Sequence, residues 1–335
     1  MKLKWMKSLI VPVMAMLFVY YATNLPTQDP TNLVNTINGD TERVSVEVSA
    51  ETHHIVYGLH ESNYLVRTAV EINPNALSWV HSIFDSLTSQ QNRLSAHVSS
   101  LIPESAELIN YEISDDGSEI TLNLSREFLG YDVGWERQLL SSLVWSLTED
   151  NDIDRVFFRI EGEPVANLNG ALNVGSGLTR AMGINLELET QSTNSQQVLL
   201  YFLAGTAENQ FLVPVTRIVD GALDPVTYAV NALSEGPRGQ HYLSVVSHNA
   251  NLLDEPALSD GILTLNFDSG LFFDQHHTQV SSVAIMQLVM TLTEQAKVES
   301  VSILVEGSTH VFDDESRPIA VPASRYLVDP FVSAN

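Results

Sequence analysis

Leu143–Glu149 reads LVWSLTE, and 145 positions later Leu288–Glu294 reads LVMTLTE. The same offset relates Val156–Gly162 (VFFRIEG) to Val301–Gly307 (VSILVEG), and Arg180 to Arg325. Working outward, Thr121–Leu124 (TLNL) matches Thr264–Phe267 (TLNF) at an offset of 143, and Asp116-Gly117 matches Asp260-Gly261 at 144. Tyr64–Val66 matches Phe211–Val213 at 147, and Asn73-Pro74 matches Asp224-Pro225 at 151. The offsets drift by a few residues, as loop insertions make them do, and the order never changes. A fixed order at a nearly fixed spacing marks an internal duplication. The expected domains are one copy over 46–185 and a second over 195–330.

Each copy carries the same series of elements. Short apolar runs predict strands over His54–Leu59 and Tyr64–Val70, and over Val198–Leu203 and Phe211–Val219. A helix follows, with Asn73 or Asp224 as its cap and Pro74 or Pro225 in its first turn, where a missing N–H costs nothing. Ala76, Leu77, Val80, Ile83, Phe84 and Leu87 form its apolar face in the first copy, and Val226, Ala229, Val230 and Leu233 in the second. Gly236-Pro237 stops the second of these helices, and the first copy has no such pair, which leaves its helix free to run on. Asp116-Gly117 and Asp260-Gly261 predict hairpin turns. A second helix carries Leu139, Leu143, Val144 and Leu147, or Val280, Val283, Ala284, Val289 and Met290. An apolar strand closes each copy, at Val156–Ile160 or Val301–Val305. The order ββαββαβ predicts an α+β fold: two tandem copies of a small mixed-sheet domain with helices on one face.

Composition narrows the chemistry. The 335 residues are 44% hydrophobic, enough for packed cores. There is no cysteine, which excludes disulfides, thiolate metal sites, cysteine nucleophiles and lipid attachment at an N-terminal Cys. From residue 29 onward there are 41 acidic and 13 basic residues, a net of −28, and Lys297 is the only lysine. Such a charge argues against binding nucleic acid, which needs a basic face for phosphates. Arginine in place of lysine keeps its charge at any workable pH. That suits an exported protein in alkaline or salty medium, the other reading being a habit of the source lineage.

The remaining lysines, Lys2, Lys4 and Lys7, precede the 14-residue apolar run Leu9–Ala22 (LIVPVMAMLFVYYA). A positive flank before an apolar run is the export pattern. The run is shorter than the ~20 residues of a straight spanning helix. Tyr20-Tyr21 stand where small residues would mark a cleavage site. Residues 1–25 are therefore expected to be an uncleaved anchor, with a cleaved signal as the alternative, and 26–45 a polar tether. The protein is expected to be extracytoplasmic, held on the cell membrane by its N-terminal segment, or secreted if that segment is cleaved.

Five pieces of the second copy, in order, resemble the GerM domain of spore-forming bacteria. They are Leu200–Leu203 (LYFL), Phe211–Arg217 (FLVPVTR), Glu235–Pro237 (EGP), Met290–Glu294 (MTLTE) and Val301–Gly307. With the duplication, the resemblance covers 46–330. The first copy departs from it, having Arg67-Thr68-Ala69-Val70 where the second has Pro214-Val215-Thr216-Arg217, and lacking the Gly-Pro. The missing cysteine is another departure, because GerM proteins are often lipoproteins. The resemblance implies a fold like the ring-building motifs of secretion-system and sporulation-channel proteins. It also implies a non-catalytic role without cofactors: assembly of an envelope complex during sporulation or germination, through contacts with other envelope proteins or with itself.

The remaining motifs are consistent with that implication. His53-His54 and His276-His277 lack the spacing of metal ligands, since there is no HExxH or His-x3-His and neighbours on a strand face opposite ways. No GxSxG or SxxK is present, and Gly175-Ser176-Gly177 is not followed by Gly-Lys-Ser/Thr. A glycosidase would need two acids facing a cleft, so cell-wall glycan binding or hydrolysis stands as the alternative function. No catalytic, cofactor-binding or metal residue is assigned. Arg180 and Arg325, each ahead of the apolar stretch that ends its copy, read either as pins for their own tails or as docking contacts. Arg217 has the same two readings. Tyr131 and Trp135 stand outside the apolar helix stripe and suit an interface, where aromatics are enriched.

Overall fold

The computed structural model describes residues 53–72, 75–88, 94, 97–149, 152–170, 172–190, 193–206, 209–274 and 278–328. These all belong to one compact unit, His53–Asn335. The expected anchor and tether, the Asn73-Pro74 cap and His276-His277 lie outside the described residues.

The first copy runs β1 (His53–His60), β2 (Leu65–Glu71), α1 (Trp79–Thr88), β3 (Val98–Ser99), β4 (Leu108–Ile113), β5 (Glu119–Leu124), α2 (Glu136–Leu147), β6 (Arg155–Ile160) and β7 (Glu163–Pro164). A connecting segment carries β8 (Glu187–Leu188). The second copy runs β9 (Ser195–Thr206), β10 (Asn209–Asp220), α3 (Pro225–Glu235), β11 (Ala257–Ser259), β12 (Ile262–Phe267), β13 (Gln279–Val280), α4 (Ser282–Ala296), β14 (Ser300–Val305), β15 (Phe312–Asp313) and α5 (Arg325–Val328). The chain is thus an α+β protein of two tandem domains with mixed sheets and helices.

Local chemistry explains the boundaries. The Asp224 carboxylate accepts from the Thr227 N–H at 2.7 Å, Pro225 opens α3, and Gly236 ends it at φ +89°. In the first copy the helix starts at Trp79, later than its apolar spacing suggested, because the Ser78 hydroxyl accepts from the His81 N–H at 3.3 Å and caps it there. Ala76 and Leu77 therefore precede the helix, and Leu77 is exposed. Val280 likewise falls in β13 rather than on α4. Asp260 and Gly261 both take positive φ, 51° and 77°, as a type I′ hairpin turn requires.

Each copy builds a core sheet on the same three-strand design, to which the first copy adds β7 on β6. β5 pairs with β4 antiparallel and with β6 parallel, and β12 pairs with β11 antiparallel and with β14 parallel. The opening hairpins do something the element order could not reveal: they join each other. β2 pairs antiparallel with β10, placing Leu212 against Arg67 in a six-stranded sheet that runs β3-β1-β2-β10-β8, with β9 also paired to β10. That register, carried one residue along, sets Val66 against Val213, its own counterpart in the repeat. Equivalent strands meeting at equivalent residues define a local two-fold axis. Around it lies a small core drawn from both copies in matched pairs: Ile55 with Leu199, Tyr57 with Tyr201, Leu65 with Leu212, and Trp145 with Met290.

Candidate functional site

The matched pairs lead to the joint between the copies. Tyr57 N–H donates to the Ser146 hydroxyl at 2.9 Å, and Tyr201 N–H donates to the Thr291 hydroxyl at 2.9 Å. The Ser142 hydroxyl donates to the Tyr57 carbonyl at 2.5 Å, and the Gln287 amide to the Tyr201 carbonyl at 3.2 Å. These bonds fix α2 on β1 and α4 on β9 in the same way. Both helices thereby deliver the glutamates that follow their Leu-Thr steps, Glu149 and Glu294, to the joint.

The arginines that close each copy meet them there. Arg325 bonds Glu294 of its own copy at 2.9 Å and Glu149 of the other at 2.8 Å. Arg180 bonds Glu149 of its own copy and Glu294 of the other, the latter at 3.1 Å. Arg180 and Arg325 thus each bridge both glutamates. Arg180 also lies over the Trp145 ring at 4.4 Å. Arg67 adds a third guanidinium, its Nε 2.9 Å from Glu149, where the second copy has Pro214.

Burial pushes the Glu149 carboxyl up, but Arg180, Arg67 and Arg325, with the Tyr57 hydroxyl at 2.7 Å, outweigh it and hold it well below the usual carboxylate range. Glu294 is lowered too, burial being overcome by Arg180 and Arg325. Burial, Glu149 and Glu294 push Tyr201 up to about 12. A polar cleft of about 370 Å³ opens onto this cluster beside Thr148, Asp154, Thr179 and Lys297. Its glutamates stay ionised and engaged, so they carry no proton to donate as a general acid at neutral pH. What the cluster can do is hold two domains together.

Arg217 belongs to a second cage, inside the second copy. It is 1% exposed and pairs with Glu187 of β8, Nε to Oε2 at 2.8 Å. The other Glu187 oxygen accepts from the N–H groups of Arg238 and Gly239 at 3.2 and 3.1 Å and from the Tyr242 hydroxyl at 2.9 Å. Arg217 also donates to the Gly236 carbonyl at 3.4 Å. The Val-Thr-Arg and Glu-Gly-Pro segments therefore meet around a carboxylate from the connecting segment. Val70 stands at the Arg217 position in the first copy, so no such cage forms there.

Tyr131 is buried in its own copy and donates to Glu136 at 2.5 Å, and Glu136 in turn accepts from the N–H groups of Gly170 and Leu172. The need to satisfy Glu136, a buried carboxylate, draws Tyr131 inward. Trp135 is half-buried in the short turn ahead of α2. Sequence spacing missed Glu149, Glu294 and Glu187. The first two were visible as the last letter of the repeated LTE, whereas Glu187 has no counterpart to mark it.

An apolar cavity of about 510 Å³ lies in the second copy between α4, β14 and the segment leading to α5, lined by Leu203, Phe211, Val283, Ile285, Ile303 and Ile319. Among the described residues no group of three His, Asp or Glu could hold a metal ion, and no helix is long and apolar enough to cross a membrane.

Comparison with known proteins places this geometry. The family model Germane, described as sporulation and spore germination, matches residues 55–166 and 199–311. The spore germination protein GerM of Bacillus subtilis (strain 168) is 32% identical over 224 residues, which are 65% of this chain and 61% of that protein. The match thus spans under two thirds of that relative's length. The solved structure of the tandem GerMN domains of the sporulation protein GerM from Bacillus subtilis matches with a TM-score of 0.73 at 28% identity, covering 82% of this chain and 97% of that one.

Proposed function

The chain belongs to the Germane family of sporulation and spore germination proteins, and we propose that it serves there as a non-catalytic, extracytoplasmic assembly scaffold. Its tandem domains would act through protein–protein contacts, on the outer side of a membrane to which the N-terminal segment tethers it. The observation that carries this reading is the joint. A shared sheet, a matched core and reciprocal Arg–Glu bridges make two domains one body, which presents two copies of each surface at a fixed separation. An enzyme would concentrate reactive groups in a cleft. Here the two glutamates at the joint, Glu149 and Glu294, are already committed to guanidinium groups.

The test is a pull-down of the tagged full chain from sporulating cells, compared with vegetative cells. Partners specific to sporulation are expected. Recovery of none, or hydrolysis of peptidoglycan by the purified protein, would overturn the proposal.

A further inference from the structure

β4 ends the core sheet of the first copy and β11 ends that of the second, so among the described residues both strands leave one edge unpaired. The local two-fold relates the two edges. On β4, Ile109 and Ile113 are 45% and 41% exposed, and on the second edge Leu253 and Leu258 are 52% and 62% exposed. Carboxylates surround these aliphatic side chains. Glu104, Glu107, Glu112, Asp115 and Asp116 are all exposed about β4, and Asp254, Glu255 and Asp260 about β11. No lysine or arginine occurs in 104–125 or in 251–266. Among the described residues the one cation paired with a β4 carboxylate is Arg159 of β6, which bonds Glu112 at 2.8 Å.

An open edge offers backbone groups to any extended chain, and like charges keep it from pairing with a second copy of itself. What such an edge admits is a strand of opposite charge. We propose that β4 and β11 are a matched pair of acceptor edges for extended basic segments, with aliphatic residues alternating with Lys or Arg, one segment per copy. The backbone supplies the pairing, the exposed Ile and Leu residues the apolar contact, and the carboxylates the selection. Because the joint fixes both edges on one body, a partner with two such segments gains from the effective concentration of the second site. This assignment rests on the assembly reading and names the chemistry of the partner.

The experiment is calorimetric titration of the full chain with a ten-residue peptide alternating Lys and Val. Two peptides per chain are expected. Glu107→Lys with Asp115→Lys should remove one, Glu255→Lys with Leu258→Lys the other, and the four changes together should abolish binding while leaving the circular dichroism unchanged. Methylation of alternate peptide N–H groups should weaken binding at least tenfold. Equal binding of the methylated peptide, equal binding of a Glu-Val peptide, or a stoichiometry indifferent to the four changes would overturn the assignment. If the peptide fails to bind while the fourfold variant still retrieves sporulation partners, the edge assignment falls and the assembly reading stands.

Discussion

Glu149→Gln is the sharpest perturbation of the joint. The substitution keeps the shape of the side chain and removes its charge. Glu149 is 1% exposed and is contacted by Arg67, Arg180, Arg325 and Tyr57. Without it, Arg180 and Arg325, themselves 20% and 18% exposed, share only Glu294, and Arg67, 1% exposed, loses the carboxylate at its Nε. Breaking a buried ion pair from one side costs about 3–5 kcal/mol, because the surviving charge stays desolvated. For a unit of this size about 3 kcal/mol lowers the melting temperature by about 6–12 °C. The loss should also appear as a split of one cooperative transition into two, since the bonds removed are those that join the copies. Equilibrium urea unfolding, followed by tryptophan fluorescence and by far-UV circular dichroism, reads both effects. A loss under about 1 kcal/mol, with the two probes still coincident, would show that the cluster does not couple the domains.

Further expectations follow from the same geometry. Glu149 and Glu294 titrate in the folded state below their unfolded value of about 4.3, so their stabilisation is present above that pH and drains away as pH falls through the folded values. Stability should therefore decline below about pH 5, and less steeply in a Glu149→Gln/Glu294→Gln double variant, as checked by melting temperature against pH. At the alkaline end the arginines do not titrate, and Tyr201, pushed up to about 12, makes stability fall only once pH passes the ordinary tyrosine value of about 10. Tyr57→Phe should cost about 1–2 kcal/mol by removing the 2.7 Å bond to Glu149. Tyr201→Phe should be neutral or slightly stabilising, because the buried Tyr201 hydroxyl has no hydrogen-bond partner among the described residues. Urea midpoints of the two variants decide between these signs. Glu187→Gln should destabilise the second copy by about 2–4 kcal/mol, since an amide offers one acceptor where the cage supplies donors to both oxygens. Hydrogen exchange should localise that loss to β8, β10 and residues 236–242.

The duplication was legible because it is local. LVWSLTE and LVMTLTE can be laid side by side, and their equivalence already pairs Glu149 with Glu294 and Arg180 with Arg325. What stayed hidden was that each arginine reaches across to the other copy's glutamate. That depends on β2 meeting β10 at Arg67 and Leu212, a contact between strands whose apolar patterns would equally suit pairing within one copy. The start of α1 was misplaced for a similar reason: Leu77 continues the apolar spacing, but Ser78 captures the first helical turn. The burial of Tyr131 was not legible because the carboxylate that draws it inward, Glu136, has no hydrophobic signature. Arg217 was flagged by its motif, while Glu187 sits in a connecting segment with nothing to match it.

Two copies that form one rigid body hold their outer sheet edges at one fixed separation. The absence of cysteine makes it directly measurable, because Ser105→Cys and Ser259→Cys, exposed residues just before β4 and at the end of β11, create the only two thiols in the chain. Spin labels on those thiols report the separation of the two edges by pulsed electron resonance. A single narrow distance, unchanged in 1 M salt (a Debye length of about 3 Å) and broadened by Glu149→Gln, is the predicted result. A broad or bimodal distribution in the parent chain would contradict it.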